Sequence, residues 1–293
     1  MQGKKKDERR QAILYLGPWG IGVVWLVLIP SCLAVYWSFT QFNLFTHPKW
    51  VGFSNYTELF NDPIFLKSIK NTLSMTLIGV VAGLVMGLGT ALLLQKSNAS
   101  QRLFRSMIFL PAIVPPVTTG IVWTFILNPN YGLLDISLKN LGIAPIGWLS
   151  DPNFAKFGLL IMVLWGGVGQ IMMTFIASLH SIPEEILEAA ALDGAGRLRT
   201  FLNVILPLMR PIVLYNVVIA TLFYLQFFEQ AFVVSPTNLG APARSTLTYA
   251  LYIYEEAFTY LKMGDAAAMS VMLLIVSSII IAIFFRVSSR LEK

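Results

Sequence analysis

Six long runs of apolar residues constrain the fold of this chain more strongly than any other feature of its sequence. A helix needs about 20 residues to cross the roughly 30 Å hydrocarbon core of a bilayer, and every run reaches that length. The runs lie near residues 13–39, 71–94, 106–127, 157–179, 212–234 and 266–285. Lipid offers the backbone no hydrogen-bond partners, and the runs are too long for barrel strands, so each is predicted to be a helix. The sequence therefore predicts an all-α membrane protein, a six-transmembrane-helix bundle that forms a single domain over residues 1–293.

Charged residues are scarce in this chain, and almost none falls inside the six runs. They make up 12% of the 293 residues, whereas soluble domains carry about 25%. The exception inside the runs is Glu229, in the fifth. A charged side chain at the centre of a bilayer costs about 2.5–3.5 kcal/mol on insertion scales, so Glu229 is by default a functional candidate. The alternative is that the fifth span ends earlier and leaves Glu229 in water.

Lys and Arg residues are distributed unevenly over the segments that join the runs. If the N-terminus is inside, two thirds of the 21 Lys and Arg residues lie on the inner side. Cytoplasmic segments of membrane proteins carry such an excess of positive charge. The inner residues are Lys4, Lys5, Lys6, Arg9, Arg10, Lys96, Arg102, Arg105, Arg197, Arg199, Arg210, Arg286, Arg290 and Lys293. Both termini are therefore predicted to be cytoplasmic, and basic residues so dispersed give little support to nucleic-acid binding.

The connection between the fourth and fifth runs, residues 181–211, is polar and carries its own helix signals. Ser181 and Glu184 have the spacing of a capping box, and Pro183 suits a first helical turn. Gly194 follows a run of good helix formers and can adopt the positive φ that ends a helix. A second short helix is predicted to follow, closed before the fifth run by the last two prolines of the segment. The segment is therefore predicted to form a helix–turn–helix beneath the membrane.

The same segment carries a specific string of residues at fixed spacing. These residues are Glu188-Ala189-Ala190, Asp193-Gly194-Ala195, Phe201, Ile205-Leu206-Pro207 and Pro211. The string resembles the EAA loop of binding-protein-dependent ABC importer permeases. The resemblance implies a type I ABC importer transmembrane domain, in which this loop is a coupling helix that docks in a cleft of a cytoplasmic ATPase. The residues it implies for coupling are Glu188, Ala189, Ala190, Asp193, Gly194 and Ala195. An interfacial helix without a partner is the alternative.

The resemblance also implies the partners of the chain and its location. They are a second permease subunit, two ATPase subunits and an extracytoplasmic solute-binding protein, at the bacterial cytoplasmic membrane. The chain lacks a Gly-x4-Gly-Lys-Ser/Thr phosphate loop, so ATP would be bound by the ATPase subunits, and this chain is expected to be a transport subunit without a cofactor. Its single cysteine, Cys32, excludes an internal disulfide, and no Asp, Glu, His or Cys grouping has metal-ligand spacing.

Further shared elements extend over nearly the whole chain. They are Val51-Gly52-Phe53-Ser54-Asn55-Tyr56, Asn71-Thr72, Arg102-Leu103-Phe104-Arg105, Leu110-Pro111, Trp123, Trp165 and Met263-Gly264-Asp265-Ala266-Ala267. They are most similar to sugar permeases of the maltose, lactose and glycerol-phosphate type. One departure is Asn238-Leu239-Gly240-Ala241-Pro242, where family members often have Gly-Gly-Pro. The resemblance implies import of a sugar or an oligosaccharide, with another small solute such as glycerol phosphate as the alternative cargo.

Two groups of residues inside the runs combine aromatic rings, accessible backbone and hydrogen-bonding groups, which a sugar pathway needs. They are Trp165, Gly167 and Gln170 in the fourth run and Tyr224, Gln226, Phe228 and Glu229 in the fifth. Resemblance to the maltose permease implies that both groups lie near substrate contacts. For the two glutamines, an interhelical hydrogen bond is the alternative.

A secondary transporter is the rival class of protein. That class usually shows repeated halves and broken helices at a midplane ion site, and neither is evident in this sequence. A membrane enzyme would need a nucleophile beside a base, and the two histidines, His47 and His180, lie in connecting segments.

The predicted topology places Asn130 outside the cell. In a Cys32→Ser background, a single cysteine at Asn130 should react with a membrane-impermeant maleimide added to intact cells. A cysteine at Lys96, on the predicted inner side, should react only after lysis. The topology would be refuted if the two positions behaved in the opposite way.

Overall fold

The computed structural model describes residues 14–96, 98–235 and 238–291, with side chains described to residue 289. Residue 13 of the first predicted span lies outside these residues. So do several of the basic residues behind the charge asymmetry, namely Lys4, Lys5, Lys6, Arg9, Arg10 and Lys293, and the side chain of Arg290 is likewise not described. The orientation of the chain in the membrane therefore stays a prediction.

Helices dominate the described residues. In chain order they are α1 (Leu14–Ser38), α2 (Ser54–Asn61), α3 (Pro63–Leu94), α4 (Ala99–Phe109), α5 (Pro116–Ile126), α6 (Leu133–Asn140), α7 (Ala155–His180), α8 (Glu184–Leu192), α9 (Arg197–Thr200), α10 (Arg210–Leu225), α11 (Glu229–Val234), α12 (Tyr249–Tyr254) and α13 (Met263–Leu291). Shorter helical turns lie at Leu110–Ile113, Phe201–Ile205, Leu206–Leu208 and Glu255–Thr259. Two short antiparallel strands, β1 (Thr40–Gln41) and β2 (Lys49–Trp50), pair Thr40 with Trp50 and Gln41 with Lys49.

Five helical stretches of the described residues are long and apolar enough to cross a membrane, and a sixth exists if one bent pair counts as a single span. The five are Leu14–Ser38, Pro63–Leu94, Ala155–His180, Arg210–Val234 and Met263–Ser289. Each contains or overlaps one of the predicted runs. The helical fold predicted from hydropathy is thus confirmed, with five spans, or six if the bent third run is counted as one.

The third run, residues 106–127, is not one straight helix. Its two halves, α4 with the turn after it and α5, meet at 104°. The backbone between them is extended, with ψ of 129° at Val114 and 138° at Pro115. A residue that precedes proline avoids the helical region, so the consecutive Pro115 and Pro116 force this break. The bend is larger than a kink within a continuous helix.

The described residues form two compact units, one of residues 14–62 and 253–275 and the other of residues 63–252 and 276–291. The single domain expected from the sequence stays a prediction. In the second unit, three glycines of α3 that recur every fourth residue, Gly79, Gly83 and Gly87, are all buried. A β-carbon at Gly79 would overlap the ring of Tyr224, and one at Gly87 would overlap Ile171 of α7. These glycines therefore form a close-packing seam, because only glycine admits the neighbours at Gly79 and Gly87.

In the first unit, two of the elements that carry the family resemblance hold the same short hairpin. The side-chain amide of Asn55 donates to the carbonyls of Ser38 and Thr40, each at 2.9 Å. The backbone N–H of Gly264 donates to the carbonyl of Phe42 at 3.2 Å. Gly264 leaves no room for a side chain, because the Thr40 carbonyl lies against it. Both motif residues therefore act on the backbone around β1.

The segment that departs from the family's Gly-Gly-Pro nevertheless forms a tight turn. Gly240 has φ of +78°, and a β-carbon there would lie within 3 Å of the Leu247 backbone. The carbonyl of Gly240 accepts from the N–H of Thr246 at 3.1 Å, and the Thr246 hydroxyl donates to the carbonyl of Ala241 at 2.7 Å. The glycine retained in this chain thus sits where the turn needs positive φ.

The glycine seam predicts a stability difference between two neighbouring positions of α3. Gly87→Ala should lower the melting temperature of the purified protein, because the methyl group would push Ile171 away at a cost of about 1–3 kcal/mol. Gly89→Ala is the matched control, since nothing lies within 4 Å of its β-carbon position. Alanine is up to ~1 kcal/mol better than glycine in a helix, so this control should be neutral or stabilising. A melting temperature for Gly87→Ala equal to or above that of Gly89→Ala would contradict the packing.

Candidate functional site

The segment between α7 and α10 forms the predicted helix–turn–helix. Helix α8 ends in a Schellman motif: the N–H of Ala195 donates to the carbonyl of Ala190, and that of Gly194 to Ala191, both at 3.0 Å. Gly194 has φ of +74°, as this motif requires at its left-handed position. The last carbonyls of α8 are thereby satisfied within three residues, so the turn is short and defined. The glycine signal in the sequence is confirmed.

The start of α8 differs from the prediction. The expected capping box of Ser181 and Glu184 is wrong: the Ser181 hydroxyl donates to the carbonyl of Ser178 at 2.7 Å and belongs to the end of α7. Helix α8 begins at Glu184, and Pro183 stands outside it with ψ of 134°. The physical reason is the proline, because the residue before a proline is pushed away from helical geometry and a boundary is forced between the two helices.

The end of the segment also differs. Pro207 and Pro211 do not close the second helix, since helical structure runs from Arg197 through Leu208 and resumes at Arg210. A wide π turn at Phe201–Ile205 precedes Pro207 and accommodates a residue that lacks an N–H. Pro211 lies in the first turn of α10, where its missing donor costs nothing. The segment of residues 181–211 therefore joins the fifth span through nearly continuous helix.

Most of the residues predicted to couple are exposed at the turn. Those at the surface are Glu188, Ala189, Asp193 and Gly194, whereas Ala190 is buried and Ala195 is half-buried. Two residues that were not predicted are more prominent: Leu192 is 89% exposed and Leu198 is 71% exposed. Leu192 lies four residues after Glu188 and therefore on the polar face of α8, so the sequence alone indicates that this leucine is exposed. Leu192 and Leu198 therefore leave apolar surface uncovered within this chain, beside the charged side chains of the turn.

The base of the segment is anchored in a hydrophobic core. This core consists of Ala91, Met172, Phe175, Ile176, Leu179 and Met209, all at most 8% exposed. Two residues on either side of the helix–turn–helix pack against this core, Ile182 before α8 and Ile205 after α9. Because packed interiors are close to incompressible, the exposed turn is mounted on a rigid base.

A cleft of about 130 Å³ lies between α3, α7 and α10. Three of the predicted pathway residues line it, namely Gly167, Gln170 and Tyr224. Gly167 has nothing within 4 Å of its β-carbon position, so its backbone is accessible. Tyr224 is buried and covers Gly79, and Gln170 is exposed within this chain.

The other predicted pathway residues lie elsewhere in the second unit. Trp165 is 40% exposed and packs edge-on against Trp123, with ring centroids 5.9 Å apart. Gln226, Phe228 and Glu229 do not line the cleft and cluster around a break in the fifth span. The predicted residues therefore lie in three places: the cleft, the contact between Trp165 and Trp123, and the break in the fifth span.

The fifth run, residues 212–234, is interrupted, whereas a continuous helix was expected. Helix α10 ends at Leu225 and α11 begins at Glu229. At the break, the N–H of Gln226 is shared between two carbonyls, at 3.2 and 3.3 Å. Both Gln226 and Glu229 are exposed within this chain. Helix α10 thus ends before Glu229, but the apolar helical stretch continues to Val234, so the alternative that the fifth span ends earlier and leaves Glu229 in water stays a prediction.

An interhelical hydrogen bond does occur in the cleft, but not through the glutamines for which it was considered. The Thr174 hydroxyl donates to the side-chain oxygen of Asn216 at 2.9 Å. On each helix this bond lies about two helical turns away from residues 181–211, and it joins α7 to α10. Within residues 14–96, 98–235 and 238–291, no group of three His, Cys, Asp or Glu side chains could hold a metal ion.

Comparisons with known proteins agree with this geometry. A family described as "Binding-protein-dependent transport system inner membrane component" matches residues 79–293. The chain is 34% identical to the probable ABC transporter permease protein YesP of Bacillus subtilis, over 94% of this chain and 89% of that protein. It is 31% identical to the sulfoquinovosyl glycerol transport system permease protein SmoG of Agrobacterium fabrum, over 96% and 91%.

A solved structure shares the fold. It belongs to a bacterial ABC transporter involved in the import of the acidic polysaccharide alginate. The TM-score is 0.85, and the match covers 98% of this chain and 99% of that chain at 23% sequence identity. The arrangement of helices described above is therefore that of an ABC importer transmembrane domain.

Proposed function

This chain belongs to the family of binding-protein-dependent transport system inner membrane components, and we propose that it is the permease subunit of an ATP-driven importer of a sugar or an oligosaccharide. Its proposed partners are a second permease subunit, two ATPase subunits and an extracytoplasmic solute-binding protein. Membrane lipid covers the remaining apolar surface, and both termini are proposed to be cytoplasmic. ATP is bound by the ATPase subunits in this proposal, and the chain needs no cofactor of its own.

The observation that carries the proposal is the exposed turn between α8 and α9 on its buried base. Leu192 presents an apolar side chain to a partner, with Glu188 and Asp193 on the same exposed part of the segment. The base of the segment is packed into α3 and α7, and its second arm continues into the fifth span. A displacement of the turn by an ATPase would therefore be passed to two spans as a rigid-body movement.

The cleft and the break in the fifth span provide groups suited to a neutral polyhydroxy compound. Amide, hydroxyl and aromatic groups line the cleft through Gln170, Thr174, Tyr215, Asn216 and Tyr224. Among the described residues that line it there is no Lys or Arg. A phosphate would be expected to have a cation as partner, so glycerol phosphate is a weaker candidate than a sugar. The permease relative named for sulfoquinovosyl glycerol supports a cargo that contains a sugar, whereas relatives of similar identity named for sn-glycerol-3-phosphate, 31–32%, keep glycerol phosphate as the alternative cargo.

A secondary transporter is the second candidate class, and one observation favours it. The fifth span is broken near an exposed carboxylate, and broken helices around an acidic group occur in ion-coupled transporters. The exposed turn between α8 and α9 argues against this class, because an ion-driven carrier has no need for a rigidly mounted turn that docks on another protein.

Uptake into proteoliposomes that contain the assembled complex tests the proposal through Glu229. Wild type should accumulate radiolabelled oligosaccharide only when ATP and the loaded binding protein are present. A carboxylate on the pathway accepts hydrogen bonds from sugar hydroxyls, so Glu229→Gln should reduce uptake about threefold and Glu229→Ala about tenfold or more. Each lost hydrogen bond of this kind is worth about 0.5–1.5 kcal/mol.

Assembly of each variant is checked by co-purification with the ATPase. Equal loss in Gln and Ala would indicate that the charge itself matters, as for a cationic cargo, and would contradict a neutral sugar. Uptake that is identical in wild type and both variants would remove Glu229 from the pathway.

A further inference from the structure

The outer connection after the fifth span is fastened to α3 by side chains that bind its backbone. The Lys67 ammonium donates to the carbonyl of Ala243 at 2.7 Å. The side-chain amide of Asn71 donates to the carbonyls of Arg244 and Leu247, each at 2.9 Å. All three acceptors lie in residues 238–248, which we call the outer loop. The loop is thus held at several points by one face of the second span.

The residue that ends the outer loop reaches the break in the fifth span. The hydroxyl of Thr248 donates to the carbonyl of Phe227 at 2.9 Å, and Phe227 lies between α10 and α11. The same oxygen accepts from the N–H of Leu251 at 3.2 Å and so caps α12. Thr248 is 1% exposed and Phe227 is 2% exposed. The contact is therefore shielded from water, where a hydrogen bond to a backbone carbonyl is hardest to replace.

The Phe227 carbonyl lies among the pathway candidates of the fifth span. Phe227 is flanked by Gln226 on one side and by Phe228 and Glu229 on the other, which are the pathway candidates of the fifth span. A helix break inside a membrane is tolerated where other groups satisfy the freed backbone. The Thr248 hydroxyl supplies such a group. It belongs to a loop at the opposite end of the fifth span from residues 181–211.

We propose that Thr248 is a positioning residue that latches the break of the fifth span to the outer loop, so that a partner bound to the loop sets the position of Gln226 and Glu229. The identity of that partner as the solute-binding protein rests on the proposed function. The latch itself does not, because it is a property of this chain. Movement of the outer loop would pull on the Phe227 carbonyl and shift the pathway groups next to it.

A second threonine of the same loop provides the matched control. Thr246 is also fully buried, but its hydroxyl donates to the carbonyl of Ala241 and so stays within the loop. Valine has nearly the shape of threonine and lacks the hydroxyl. Thr248→Val and Thr246→Val therefore remove the same chemical group from equally buried positions. Only the first detaches the loop from the span, and it also removes the cap of α12.

The first experiment measures the latch in the purified full-length chain without partners. A cysteine at Ala231, a fully buried position in α11, reports opening of the break through its rate of reaction with N-ethylmaleimide in a Cys32→Ser background. Thr248→Val should speed labelling at least fivefold, whereas Thr246→Val and the hydroxyl-retaining Thr248→Ser should stay within twofold of the parent. Equal rates for the two valine variants, or a serine variant as fast as Thr248→Val, would overturn the latch.

The second experiment needs no change at Thr248 and tests transmission in the assembled complex. Addition of the sugar-loaded binding protein should change the labelling rate of the cysteine at Ala231 at least threefold in the otherwise unaltered complex. The ATPase rate is followed in the same sample. Stimulated ATP hydrolysis with an unchanged labelling rate would overturn the transmission. Absence of stimulation would count against the proposed function, while the first experiment would still decide the latch.

Discussion

The core of a bilayer offers a polypeptide backbone no hydrogen-bond partners, and the parts of this chain where helices stop are governed by that constraint. The fifth span stops at Leu225 and starts again at Glu229, and a threonine hydroxyl bonds the carbonyl of Phe227 between them. The third run stops at Val114, whose N–H bonds the carbonyl of Pro111 at 3.1 Å. Both interruptions therefore form part of the hydrogen-bonded structure.

Hydrogen bonding at a helix end also shapes the segment between α7 and α10. The Schellman motif at Gly194 satisfies the carbonyls of Ala190 and Ala191 and so ends α8 within three residues. The turn that results is compact and exposes Leu192 at its tip. Below it, the buried core around Phe175 and Met209 holds both arms, and the Thr174–Asn216 bond ties the two spans above. A short exposed turn on a rigid base is suited to the transfer of movement, whereas a flexible loop would absorb it.

Hydropathy and spacing were sufficient to predict much of this architecture. Long apolar runs specify spanning helices because lipid leaves no alternative, and glycines at every fourth residue specify a seam because side chains four apart share a helix face. The turn at Gly194 was predictable because positive φ favours glycine. These features are local in sequence, and each depends on one strong physical effect.

The features that were missed depend on competition or on distant residues. The Ser181 hydroxyl had two possible partners, the Glu184 N–H of a capping box and the Ser178 carbonyl, and it donates to the carbonyl because Pro183 forced a boundary between the two helices. Pro207 was expected to stop a helix, but a π turn placed ahead of it removed the clash. The break at residues 226–228 carries neither proline nor glycine, and its partner Thr248 lies 21 residues further along the chain. A single sequence gives no sign of a bond between such residues.

The central claim is that the turn at Gly194 transmits movement between an ATPase and the spans. Its most direct test is binding-protein-stimulated ATP hydrolysis in liposomes by Gly194→Val and Gly196→Val complexes. Both glycines have open space around the β-carbon position, but Gly194 has φ of +74° and Gly196 has φ of −68°. A left-handed conformation costs an L-residue about 1–2 kcal/mol, and more for valine, so only Gly194→Val should distort the turn. We predict that Gly194→Val lowers stimulated hydrolysis at least tenfold in complexes that still contain the ATPase, and that Gly196→Val stays within twofold of wild type. Normal stimulation and normal uptake by Gly194→Val would contradict the account.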